Sequence, residues 1–114
     1  MQRNIKQNTS VTRMDKAEAI EKIRKYRSLL KEHFDLDKVY LFGSYAKDSN
    51  QEDSDLDVAI VVNSLEGDYF SITPLIWRLR RQIDDRIEPI LIEKGNDRAG
   101  FLEEIKKYGI EITE

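Results

Sequence analysis

The run Leu56-Asp57-Val58-Ala59-Ile60-Val61-Val62 constrains the fold more than any other part of the chain. From Val58 onward it is apolar without alternation, so a strand made from it must be covered on both faces and belongs in the middle of a sheet. Carboxylates at the mouth of such a strand cost stability unless they serve a purpose. Asp55 and Asp57 stand at that mouth, and they follow another strand-like run, "KVYLFG", which breaks at Gly43-Ser44. The stretch from Tyr40 to Val62 thus reads as strand, Gly-Ser turn, mostly polar loop, acidic entrance, strand.

The remaining segments supply partners for that strand. Ile20, Ile23, Tyr26, Leu30 and Phe34 recur at three- and four-residue steps and predict an amphipathic helix over 15–33. Ile72, Leu75, Ile76, Leu79 and Ile83 predict a second helix over 72–85, with Pro74 in its first turn and Ser71 or Thr73 as its cap. "RIEPILIE" is expected to be a third strand, "DRAGFLEEIKKYG" a third helix stopped by Gly109, and "IEIT" a short last strand. Residues 1–13 are polar and aperiodic and are expected to form a mobile arm, leaving 14–114 as one domain. With 114 residues there is room for one core and no second lobe.

Composition removes several chemistries. The chain has no cysteine and one histidine, which excludes thiolate metal sites, thiol nucleophiles, disulfide staples and His-rich zinc sites. A net charge of -3 with 36% charged residues is not the strongly basic surface of a general nucleic-acid binder. No run approaches the roughly 18 to 20 apolar residues of a membrane span, and the N-terminal residues lack the apolar centre of a signal peptide. A cytoplasmic protein without membrane contact is expected.

Hard-oxygen chemistry remains. Asp55 and Asp57 are two apart, so in extended chain they share a face with Cα atoms about 7 Å apart. That spacing suits convergence on divalent cations about 3.5 to 4 Å from each other. Gly43 permits a sharp turn that presents backbone amides to a ligand, and Ser44 adds a hydroxyl. Amides and hydroxyl serve phosphate oxygens, while the carboxylates serve a hard cation such as magnesium. Together they describe a site for a metal nucleotide.

Gly43-Ser44, ten intervening residues and Asp55-Leu56-Asp57 resemble the G-S-x10-D-x-D signature of the minimal nucleotidyltransferases, relatives of the polymerase beta superfamily. The resemblance extends from the first helix to the closing "YGIEI". It implies an α+β fold with a short mixed sheet flanked by helices, and transfer of a nucleoside monophosphate, usually AMP from ATP, to a hydroxyl. By the same resemblance Asp55 and Asp57 hold two Mg2+ ions (or Mn2+), Gly43, Ser44 and Lys47 orient the triphosphate, and Glu88 is the third carboxylate and candidate base. The family commonly has Asp at the position of Glu88, and glycine at that of Asp48. Family members of this size resemble antitoxins whose partner is an all-helical HEPN ribonuclease toxin, silenced by attaching AMP to one of its tyrosines, so a hetero-oligomer is expected. Two alternatives keep the fold: an antitoxin that neutralises its partner by binding alone, and transfer to a small molecule or RNA end with a separate substrate-binding subunit.

Competing readings are weaker. "DSNQEDSDLDVA" is not a calcium loop, because Asp53 replaces the required glycine and Ala59 the closing glutamate. Glu52 and Asp53 read as solvated loop residues and His33 as a surface residue. Arg80 with Asp84 and Arg81 with Asp85 are expected as four-apart helix-surface pairs. Trp77 lies off the apolar stripe of the second helix, in line with Phe70. It is either covered by a neighbouring element or forms, with Phe70, an aromatic partner contact.

Overall fold

Val58 to Val62 has no polar face to offer water, and in the computed structural model every residue of that run is buried. The model describes residues 14–50, 54–65, 69–96 and 100–114; the expected arm at 1–13, and Glu52 and Asp53, lie outside them. The elements are α1 (Lys16–Lys31), β1 (Leu36–Phe42), β2 (Leu56–Val62), α2 (Tyr69–Arg80), β3 (Ile87–Glu93), α3 (Phe101–Tyr108) and β4 (Ile110–Glu111). The sheet has the order β3-β2-β1-β4, with β2 antiparallel to β1 and parallel to β3, and β4 antiparallel to β1. This is the expected α+β architecture with a mixed sheet.

Each face of the sheet has its own cover. Val39, Leu41, Val58, Ile60, Val62 and Leu91 pack against Ile23, Tyr26 and Leu30 of α1 and Ile76 and Leu79 of α2. Tyr40, Ala59, Val61 and Ile92 meet Ile105 of α3, with Phe42, Ile90 and Leu102 at the edge. A fully buried aliphatic side chain contributes roughly 1.5–3 kcal/mol, so these rows hold β2 in register whatever stands at its mouth. Asp57 and Glu88 alternate with the first set of residues, which puts them on the face covered by α3.

The first helix starts at a reader's signal. Asp15 is its N-cap and accepts from the Glu18 N–H at 2.8 Å, and its buried face is Ala19, Ile23, Tyr26 and Leu30. Ile20 and Phe34, expected in that stripe, pack at its margin. The Tyr26 hydroxyl donates to the Ile76 carbonyl at 2.8 Å, tying α1 to α2, and burial pushes its pKa upward so that it stays protonated.

The second helix differs from the expected 72–85. It begins at Tyr69, so Pro74 sits inside it rather than in the first turn, and Ser71 and Thr73 are helical residues rather than caps. Proline there removes one N–H bond to the carbonyl of position 70, and the buried contacts of Ile76 and Leu79 outweigh that loss. The end comes early because Arg81, Gln82 and Ile83 donate to carbonyls three residues back, tightening the chain toward β3. The expected pairs Arg80–Asp84 and Arg81–Asp85 therefore do not form among the described ion pairs. Asp84 instead pairs with Arg86 and Lys22, while Arg80 donates to the carbonyls of Asp85 and Ile87. No described helix is long and apolar enough to cross a membrane.

Candidate active site

The site is assembled where β1 ends and β2 and β3 begin. Phe42 pairs across the sheet with Asp57, and Asp57 pairs on its other side with Glu88. The Leu56 N–H donates to the Arg86 carbonyl at 2.9 Å, which pins the two strand entrances together. Leu56 is fully buried, so it anchors the chain between Asp55, which is exposed just before the strand, and Asp57, which is half-buried within it. Glu88, Ile90 and Ile92, two apart along β3, share a face.

Gly43 follows Phe42 with φ +73, a left-handed conformation in which a side chain is strained. A Cβ on Gly43 would lie 2.1 Å from Asp57 Oδ2. The turn is therefore wrapped directly over the carboxylate, and only glycine lets the two approach. Beyond it the loop folds back on itself: Lys47 N–H donates to the Gly43 carbonyl at 3.2 Å and Ser49 N–H to that of Ser44 at 2.9 Å. Tyr45 is fully buried and plugs the loop into the core.

Asp48 adopts φ 60, which explains why glycine is usual there. Its carboxylate is held by Lys16 Nζ at 3.1 Å, so the anion is directed to α1. Lys47 is exposed, with its ammonium 5.3 Å from the centre of the Tyr108 ring.

Asp57 is the acid under most electrostatic pressure in this cluster. Burial raises its pKa, and the charges of Asp55 and then Glu88 raise it further. None of the ion pairs among the described residues includes Asp55, Asp57 or Glu88. Neither do the described residues contain a ready-made group of three His, Cys, Asp or Glu side chains placed to hold a metal ion. The donor set is hard oxygen throughout, and a cation arriving with phosphate would offset the repulsion at Asp57.

A model of the polymerase beta nucleotidyltransferase family matches residues 21–114. The chain belongs to this family. It is a nucleotidyltransferase, and its substrate is a nucleotide. MJ0141 of Methanocaldococcus jannaschii, named as a candidate protein adenylyltransferase, is 34% identical over 101 residues, covering 83% of this chain and 99% of the relative. Among solved structures, a candidate nucleotidyltransferase of Sulfolobus solfataricus superposes with a TM-score of 0.63 at 20% identity, over 84% of this chain and 80% of that one. A toxin–antitoxin complex with AMP-PNP gives a TM-score of 0.61 at 22% identity, over 82% of this chain and 72% of that one.

Other residues singled out from sequence fall away from this cluster. Trp77 is half-buried on α2, with the Arg80 guanidinium 4.7 Å from its ring centre. The side chain of Phe70 lies outside the described residues. His33 is exposed, as expected. Sequence reasoning passed over Phe101 and Tyr108, which are 41% and 55% exposed. Their signal was legible: two aromatics seven apart on a helix occupy one side of it.

Proposed function

We propose that this nucleotidyltransferase transfers AMP from magnesium-bound ATP to a tyrosine hydroxyl of a HEPN-type toxin partner, and so acts as an antitoxin. The observation that carries the reading is the Asp57 carboxylate seated in the Gly43 turn, with Asp55 and Glu88 as its charged neighbours. The names of the M. jannaschii relative and of the toxin–antitoxin neighbour support a protein acceptor and an antitoxin role.

In this reading Asp55 and Asp57 hold the magnesium, and Glu88 completes the carboxylate set. Bound there, the metal supplies neutralisation of the triphosphate charge and activation of the α-phosphorus. The Gly43 and Ser44 amides and the Ser44 hydroxyl bind phosphate oxygens, and Lys47 adds a mobile positive charge. Glu88 accepts the proton of the attacking hydroxyl as its oxygen bonds to the α-phosphorus and the bond to the bridging oxygen breaks, releasing pyrophosphate. Positioning and charge stabilisation then account for the rate, as in other phosphoryl transfers. Trp77, on a different element, belongs to the partner-binding face.

The test is transfer of α-phosphate label from ATP to the co-expressed partner, combined with growth rescue from the toxin. Wild type should label a partner tyrosine only with magnesium, and Asp57→Asn should bind the partner yet neither label nor rescue. Trp77→Ala should weaken association by roughly 2 kcal/mol, about thirtyfold. Full rescue by Asp57→Asn would mean that binding alone neutralises the toxin.

A further inference from the structure

We propose that a small cleft beside the Gly43 turn seats the base of the nucleoside triphosphate, with the Tyr108 ring as its stacking surface. This rests on the reading that the triphosphate occupies the Gly43–Ser44 turn. The cleft is lined by Phe42, Gly43, Lys47, Phe101, Glu104 and Tyr108 and holds about 120 Å³. Ligand pockets for drug-sized molecules run to roughly 300–1,000 Å³, so this one suits a single ring system. Gly43 is common to both places: its turn covers Asp57, and it also lines the cleft. A nucleotide with its phosphates at the turn therefore has its base within reach of the rings.

The side chains fit a flat neutral ligand. Phe101 and Tyr108 are the exposed large hydrophobic residues among those described, although Ile105 between them is buried and already anchors α3. The Phe101 ring is held edge-on to Phe42, with centroids 6.0 Å apart and planes at 88°, so its orientation is set by the sheet. Glu104 also lines the cleft, and although Lys107 stands 3.9 Å from its carboxylate, its negative charge favours the base over the phosphates there.

Lys47 couples the two halves of the ligand. Its ammonium stands over Tyr108 in the free protein. A cation over an exposed ring is held weakly, whereas phosphate oxygens offer charge-assisted hydrogen bonds. Binding of the phosphates would draw Lys47 off the ring and clear the face on which the base stacks.

Calorimetry with magnesium separates this inference from the reading beneath it. ATP and inorganic tripolyphosphate are each titrated into wild type, Tyr108→Ala and Tyr108→Phe, with thermal melts confirming that the variants fold. Tyr108→Ala should raise the Kd for ATP about tenfold, the scale of one base–aromatic stack. It should leave tripolyphosphate unchanged, while Tyr108→Phe should bind ATP like wild type. Equal ATP affinity in Tyr108→Ala and wild type, with tripolyphosphate still bound, would overturn the base cleft and leave the triphosphate site standing. Failure of wild type to bind either ligand would overturn both.

Discussion

Asp84, in the turn between α2 and β3, is 10% exposed and accepts hydrogen bonds from Lys22 Nζ at 2.8 Å, from Arg86 Nε and Nη2 at 3.0 and 2.9 Å, and from the Arg86 N–H at 2.8 Å. Asp57, at the mouth of β2, is also half-withdrawn from water, but its charged neighbours are Asp55 and Glu88. Burial alone would raise the pKa of Asp84, yet the bonds from Arg86 and Lys22 more than reverse this and hold it well below the ordinary carboxylate range. At Asp57 burial and both neighbours act in the same upward direction. One carboxylate completes its own neutralisation within the fold; the other is left with negative charge that an incoming cation can satisfy. The difference separates an acid that serves structure from the one that the proposed function assigns to chemistry.

Breaking the chemical member of the pair should have the largest effect. Asp57→Asn preserves shape and removes the charge, so nucleotidyl transfer should fall by more than about a thousandfold in steady-state assays, with the circular dichroism spectrum unchanged. Glu88→Gln should cost about a hundredfold, as expected for a base or third carboxylate, while Glu88→Asp should keep most of the activity. Gly43→Ala tests the contact between them: its Cβ must displace the Asp57 carboxylate, so a loss of about 2–3 kcal/mol in urea unfolding is expected together with loss of transfer.

Breaking the structural member should do the reverse. Asp84→Asn should lower stability by about 2 kcal/mol at pH 7 while leaving the transfer step intact. The signs with pH are opposite for the two acids. Because the folded-state pKa of Asp84 is depressed, its contribution is present above the ordinary carboxylate value of 3.8 and lost as pH falls through the lower folded value. Because that of Asp57 is raised, its penalty is absent below 3.8 and appears as pH rises through the folded value. In denaturation curves the cost of Asp84→Asn should therefore shrink on acidification, and so should a stabilisation of less than about 1 kcal/mol from Asp57→Asn. The smallest effect belongs to Asp48→Gly, which trades the exposed Lys16 pair for a relaxed left-handed turn. Its stability should stay within about 0.5 kcal/mol of wild type and its ATP affinity within about twofold.

What could be read from sequence was whatever depends on local pattern. The double-faced burial of β2 follows from Val58–Val62, and the nearness of Gly43, Asp55 and Asp57 follows from a turn residue and strand period flanking one loop. The partners of Asp84 were not legible in this way. Lys22 lies 62 residues away, and Arg86 reaches Asp84 only because α2 ends at Arg80 instead of running on to 85. Four-apart pairing requires a helix, and the three-residue turns after Arg80 remove it. The departure at Asp48 could be read as a position made for glycine, but its neutralisation by Lys16, 32 residues earlier, needed the fold. Phe101 and Tyr108 were visible as a spaced pair, yet their exposure beside Gly43 depends on how α3 lies over β1.

The central claim, that the cluster around Asp57 is left negative in order to receive a metal nucleotide, is tested most directly by titrating ATP into wild type, Asp57→Asn and Asp84→Asn with and without magnesium. Wild type and Asp84→Asn should bind ATP only when magnesium is present, and Asp57→Asn should show no magnesium-dependent binding. Equal magnesium-dependent binding by Asp57→Asn and wild type would contradict the account.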